Sequence, residues 1–366
     1  MINLSPQQGY LNAGFISQEF QCTRHATSCN NIYMGKSIRG IDSEPALSAY
    51  GINGAIDLAR KEKEKGSERF LAPAGIPIAV SALIRTWETA VLLYGYNNKG
   101  VETSKLEIRI CPWLKETGWD GNDPKPLAHG IPKFIKFLDK LKPIYDNGDN
   151  YNIREIHIHI PPTTTHKKLK NNASLSTMGR EWQTIVIQLN GNTYRCINFC
   201  DIIDTIHDDS FWGSVYGYQK DEGNIMKFMK WYTTVFSKEY TPVHIVAHSH
   251  IMQAFAKDVL KQKLEKEQTE QNCWSISMTY LYRNNGKYRN GEKDTALYKN
   301  IQNGFPKPTG RLLENAQSDE KSKQMDENPI SLCGKYGSVT EFSCASGGRR
   351  TRRKRSYRKK TRRHRR

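Results

Sequence analysis

Three times along this chain a short apolar run ends in a cluster of Arg, His, Ser and Thr. Residues 20–25 (FQCTRH) run into Ala26-Thr27-Ser28, residues 77–83 (PIAVSAL) into Ile84-Arg85-Thr86, and residues 243–247 (VHIVA) into His248-Ser249-His250. Runs this short, bounded by polar turns, suit strands buried on both faces. The stretches 47–65, 86–96 and 252–264 carry their apolar residues at helical spacing, as in Leu47, Tyr50, Ile56, Leu58 and Ala59. Strands alternating with helices imply a mostly parallel central sheet covered by helices on both faces.

The rest of the first 304 residues extends this α/β pattern. Helices are expected at 132–145 and 225–236, and strands at 106–111, 184–189 and 194–199. The last two flank Asn190-Gly191-Asn192-Thr193, a hairpin signal. Residues 275–282 read as the last strand. The stretch 120–240 is longer than a minimal sheet of this kind needs and reads as an insertion or cap that sets substrate choice. After Gly304 the periodicity stops. Residues 305–348 read as a disordered linker and 349–366 as a disordered basic tail.

Composition narrows the function classes. Only 37% of residues are hydrophobic, and the longest mainly apolar stretch, 75–84, is half of what a membrane span requires. The first twenty residues hold no Lys or Arg, so no secretory leader is visible. The expectation is an intracellular protein, cytoplasmic or nuclear, with no membrane partner and with its eight cysteines reduced. Cys196 and Cys200 lack the second Cys/His pair that a zinc site needs. The net charge of +18 is unevenly spread: residues 349–366 hold 13 Lys/Arg and no Asp or Glu, so the body carries only +5.

In an open α/β sheet, ligands bind beyond the carboxyl ends of the strands. Three strand ends could deliver Arg24, His25, Arg85 and His248 to one pocket. Two guanidiniums and two imidazoles suit a dianion, since Arg forks match phosphate oxygens and a histidine there can attack phosphorus.

These segments resemble the histidine phosphatase superfamily, the phosphoglycerate mutase-like group. Arg24-His25-Ala26-Thr27-Ser28-Cys29-Asn30-Asn31 is similar to its Arg-His-Gly-x-(Ser/Thr)-x-x-Asn opening, with Ala in place of Gly. Asp42 and Pro45-Ala46-Leu47-Ser48-Ala49-Tyr50-Gly51, then Ser81 to Ala90, and then Val246-Ala247-His248 resemble its later stretches. The resemblance implies a phosphoglycerate mutase-like fold and a phosphomonoester hydrolase that needs no metal or other cofactor. His25 would be the phosphorylated nucleophile. Arg24, Arg85 and His248 would hold the phosphoryl group, with Ser28 and Asn31 touching or supporting it. Glu116 is the best match for the general acid, with Asp120 and Asp123 as nearby substitutes. A phosphomutase is the close variant.

Several residues have plainer readings. His157 and His159 alternate on one face of a strand and read as a solvated face. Trp87 and Trp113 read as packing residues, His250 as local polar packing, and Glu88 as a first-turn carboxylate favoured by a helix N-terminus. The tail could bind nucleic acid or another polyanion by counterion release, or serve as a nuclear import signal. In style it resembles tails on proteins of large DNA viruses, where a virion location follows. The rival to the enzyme is a catalytically silent phosphatase-like module that binds nucleic acid through this tail.

Overall fold

The structure is a computed structural model. It describes residues 15–33, 46–71, 76–96, 105–111, 113–114, 127–146, 153–160, 183–190, 193–197, 225–236, 242–265, 268, 270–283 and 294–325. The described elements are β1 (Ile16–Arg24), α1 (Cys29–Ile32), α2 (Ala49–Glu64), β2 (Ile78–Val80), α3 (Ile84–Gly95), β3 (Lys105–Ile110) and α4 (Leu127–Asp146). They continue with β4 (Glu155–Ile160), β5 (Gln183–Asn190), β6 (Thr193–Ile197), α5 (Ile225–Phe236), β7 (Val243–Ala247) and α6 (Ser249–Asp258). Last come β8 (Gln271–Asn272), β9 (Ser275–Tyr282), β10 (Thr295–Gln302), β11 (Phe305–Pro306) and α7 (Gly310–Met325).

Among the described residues, nine strands form one sheet in the order β10-β9-β1-β7-β2-β3-β4-β5-β6. The five central strands, β1, β7, β2, β3 and β4, are parallel, and an antiparallel pair closes each edge. The mostly parallel α/β sheet expected from the alternating pattern is therefore the architecture found.

The innermost strands β2 and β7 are buried on both faces, which is why their sequences read as short apolar runs. On one face Ile78, Val80, Ile108 and Val246 pack with Ile52, Leu58, Trp87 and Phe134 of α2, α3 and α4. On the other face Phe20, Cys22, Val243 and Ile245 pack with Phe228, Trp231, Ile251 and Phe255 of α5 and α6. Trp87 is fully buried against Phe134, and Trp113 packs on Trp231, as packing residues should. Farther along the sheet this second face turns polar. His157 bonds Glu155 and His159 bonds Glu107, each at 3.0 Å.

Four expectations need correction. Residues 275–282 are not the last strand: β10 pairs antiparallel with β9, its alternation broken by a bulge at Tyr298/Asn300 that hid it from a period-2 search. Residues 305–325 are not disordered. β11 pairs with β8, and α7 docks through Ala316 beside Ile32 and Tyr33, while Gln317 donates to the Ile32 carbonyl at 2.8 Å. Too few apolar residues face inward on α7 for its periodicity to show. The described parts of 120–240 build α4, β4, β5, β6 and α5 of the main sheet and its layers. Glu88 lies in the second turn of α3, and its carboxylate accepts the Leu47 N–H at 2.7 Å, tying α3 to the chain entering α2. Glu116, Asp120 and Asp123, the remainder of the linker and the basic tail lie outside the described residues. No helix among the described residues is long and apolar enough to cross a membrane.

Candidate active site

The parallel register brings the three polar strand ends together. Arg24 is opposite Ala247 across β1 and β7, and Val80 is opposite Val246 across β2 and β7. The residues that follow, His25, Ser81 and His248, therefore emerge side by side from one edge of the sheet, where the strand order reverses. Backbone bonds hold this edge: His25 N–H donates to the Ala247 carbonyl and Arg24 N–H to the Trp274 carbonyl, both at 2.9 Å.

Arg24, His25, Arg85 and His248 are all buried. The His25 and His248 rings meet edge to face with centroids 5.1 Å apart. An Arg85 guanidinium N–H reaches His248 Nδ1 at 3.4 Å. Arginine can only donate, so Nδ1 accepts; Nε2 then carries the proton and donates to Ser81 Oγ at 2.8 Å. His25 has the opposite tautomer. Its Nδ1 lies 2.6 Å from the Ala26 carbonyl oxygen, which can only accept, so Nδ1 carries the proton and Nε2 keeps its lone pair.

Electrostatics hold both rings neutral. Burial, then Arg85 and Arg24, push the His25 pKa well below the ordinary imidazole range. Burial, Arg85, His25 and Arg24 do the same to His248. Two guanidiniums beside two neutral imidazoles make a cationic pocket that an anion would neutralise.

Ser28 and Asn31 serve the loop that carries His25. The Asn31 side-chain oxygen accepts from both the N–H and the hydroxyl of Ser28, at 3.0 Å each. Ser48 caps α2 and also donates its N–H and hydroxyl to the Thr27 carbonyl at 3.0 Å. That carbonyl lies so close to α2 that a Cβ on Gly51 would come 2.1 Å from its oxygen. The spacing of Ser48 and Gly51 thus has a mechanical cause: the loop after His25 rests on the first turn of α2. Ala26 is fully buried, and its N–H donates to Thr89 Oγ1 at 3.0 Å.

Cys29, at the start of α1, is disulfide-bonded, which corrects the expectation of reduced thiols throughout. Spacing along the chain carries no record of which distant thiols the fold brings together. Cys22, Cys111 and Cys273 are free and buried. His250 is exposed in the first turn of α6. A cavity of about 680 Å³ lies between α2, the 302–306 segment and α7, and its lining includes none of the four pocket residues.

Sequence reasoning missed two cations. Arg69 is buried, and its guanidinium donates to the Cys273 carbonyl at 2.6 Å, to Ser275 Oγ at 2.8 Å and to the Asn303 carbonyl. Lys307 lies just beyond β11, within electrostatic reach of Arg24 and His25. Neither sits in a periodic or motif context that would have flagged it.

Fold and site together define an α/β protein with a buried cationic pocket at the carboxyl ends of its central strands. No protein-family model matches the chain, and no curated protein matches it. Among solved structures, it is similar to a phosphoserine phosphatase mutant from Entamoeba histolytica in complex with phosphoserine, at 14% identity over 78% of this chain and 96% of that one, with a TM-score of 0.30. It is also similar to a mycobacterial glucosyl-3-phosphoglycerate phosphatase, at 13% identity over 78% and 99% of the two chains, with a TM-score of 0.30. A phosphoglycerate mutase from Bacillus anthracis is 14% identical over 84% and 99%, with a TM-score of 0.29.

Proposed function

We propose that this protein is a phosphomonoester hydrolase of the histidine phosphatase superfamily, acting through a phosphohistidine at His25. The observation that carries this reading is the state of His25: buried, neutral, and anchored through Nδ1 to the Ala26 carbonyl at 2.6 Å between two guanidiniums. A neutral imidazole whose only free nitrogen bears a lone pair is a nucleophile, and the surrounding cations suit a phosphoryl group.

The reaction follows from those roles. His25 Nε2 forms a bond to phosphorus as the ester P–O bond breaks. Arg24, Arg85 and the Nε2–H of His248, turned from Ser81 Oγ to a phosphoryl oxygen, stabilise the charge on the equatorial oxygens in a loose transition state. The leaving oxygen takes a proton from a carboxylic acid, for which Glu116 is the candidate. Water, losing a proton to the carboxylate left by the first step, then attacks phosphorus as the P–N bond breaks, giving inorganic phosphate and returning His25 to its neutral form. A mutase differs only in that a second substrate hydroxyl replaces this water.

Release of inorganic phosphate from an aryl phosphate, with and without EDTA, tests the activity. Arg85→Lys tests the clamp. Lysine keeps the charge but loses the planar fork that also donates to His248, so kcat/KM should fall on the order of 10²-fold, as for loss of one preorganised donor. Parental activity in Arg85→Lys would remove Arg85 from the phosphate-binding set.

The concentration of 13 Lys/Arg in 349–366 favours a second, separable role in polyanion contact. Deleting 349–366 should leave turnover of a small ester within about twofold and remove most DNA binding, with a steep salt dependence in the binding that is lost. A mobility-shift titration at two salt concentrations checks this. Equal binding by truncated and full-length protein would place the polyanion site on the body.

A further inference from the structure

A buried arginine outside the pocket holds the backbone on which a pocket arginine rests. Arg24 Nη1 donates to the Gln271 carbonyl at 2.6 Å, so the plane of its guanidinium follows the position of that oxygen. Gln271 begins β8, and the chain turns between β8 and β9. Within that turn Cys273 has a φ of 56°, a left-handed conformation that is unfavourable for a residue with a side chain. It persists only where surrounding contacts impose it.

Arg69 supplies such contacts. Its Nη2 donates to the Cys273 carbonyl at 2.6 Å and to Ser275 Oγ at 2.8 Å, and its Nη1 donates to the Asn303 carbonyl. The chain after Asn303 packs on the same turn. The Gly304 N–H donates to Gln271 Oε1 at 2.7 Å, and Pro306 pairs with Gln271 across β11 and β8. A Cβ on Gly304 would fall 1.7 Å from the Asn272 carbonyl oxygen, so this approach requires glycine. One planar guanidinium therefore holds both segments that fix Gln271. Arg69 is itself tied to β1, where Gln21 Nε2 donates to its carbonyl.

The Arg69 side chain is buried, and its hydrogen bonds go to residues 273, 275, 302 and 303. None goes to Arg24, His25, Arg85 or His248. Arg69 can thus act on the pocket only through the backbone it holds.

We propose that Arg69 is a positioning residue for Arg24: by fixing the turn at 272–274 it places the Gln271 carbonyl that aims the Arg24 guanidinium at the phosphoryl group. This rests on the phosphoryl-transfer reading given above. An Arg24 fork that is misaligned keeps its charge but loses its match to the phosphate oxygens, and a displacement of about 1 Å can cost on the order of 10²-fold in rate.

A double-mutant cycle with Arg24 separates positioning from general support of the fold. The readout is kcat/KM for an aryl phosphate in the full-length chain, below the thermal midpoint of every variant. Arg24→Ala should lose on the order of 10²-fold, as for one preorganised donor. Arg69→Lys keeps the charge but not the fork, and should lose about tenfold in the wild type and less than about twofold when Arg24 is already alanine. Equal losses in the two backgrounds, or no loss in the wild type, would overturn the proposal and leave the phosphatase reading standing. Should Arg69→Lys not fold, Gln271→Ala, which removes only the side-chain tie to Gly304, runs the same cycle and is judged by the same two criteria. Full activity in Arg24→Ala would remove Arg24 from the site and the proposal with it. If the wild type releases no phosphate, the phosphohydrolase reading fails, and orthovanadate affinity measured by calorimetry carries the same cycle with the same criteria.

Discussion

Replacing His25 with alanine is expected to abolish phosphate release from any ester the wild-type protein hydrolyses. The substitution removes the atom that would bond to phosphorus, and covalent catalysis does not survive loss of its nucleophile. More than about a tenth of parental turnover in His25→Ala would sink the phosphohistidine mechanism. The same variant has a second signature, in stability. The folded state holds His25 well below its ordinary pKa, through burial and then Arg85 and Arg24. As pH falls below about 6.5 the unfolded chain takes up a proton that the folded chain does not, so stability is lost toward acid. Alanine removes that difference. The slope of unfolding free energy against pH, from about 6.5 down to the folded pKa, should be shallower in His25→Ala by up to about 1.4 kcal/mol per pH unit. An unchanged slope would mean that His25 is protonated in the folded protein and poorly suited to attack.

The largest effect on stability is expected at Arg69. Its guanidinium bonds the Cys273, Gln302 and Asn303 carbonyls and Ser275 Oγ, and it lies over the Phe70 ring. Arg69→Met keeps most of the side-chain volume but strands these acceptors without a donor. Breaking a buried charged network in this way costs about 3–5 kcal/mol. Denaturant titration would measure the loss, and a change below about 1 kcal/mol would show that water replaces the guanidinium freely. Arg69→Lys should restore little of that stability, since an ammonium cannot span the acceptors on residues 273–275 and 302–303 together.

The apolar central strands, the helices between them and the pocket set Arg24, His25, Arg85 and His248 were legible before any coordinates. Buried parallel strands need apolar residues on both faces, so they appear as short unbroken runs. The rule that ligands lie at the carboxyl ends of parallel strands then points to the residues that follow each run. Ser48 and Gly51 were legible as a pattern, but the Thr27 carbonyl that explains them was not.

What only the tertiary structure decided is chiefly a matter of contacts between segments far apart in the chain. The neutrality of His25 depends on its burial and on Arg85, brought in from α3. Arg69 acts only because residues 273, 302 and 303 converge on it. β8 and β11 are two residues each, too short for any periodicity, and exist because they pair with each other. The disulfide of Cys29 requires a thiol from elsewhere in the chain. Local sequence records which face of a strand or helix is apolar, because that is set by a repeat of two or 3.6 residues. It holds no comparable record of long-range polar contacts. The central strands and the four pocket residues therefore followed from the sequence, whereas β8, β10, β11 and the contacts of Arg69 depended on the fold.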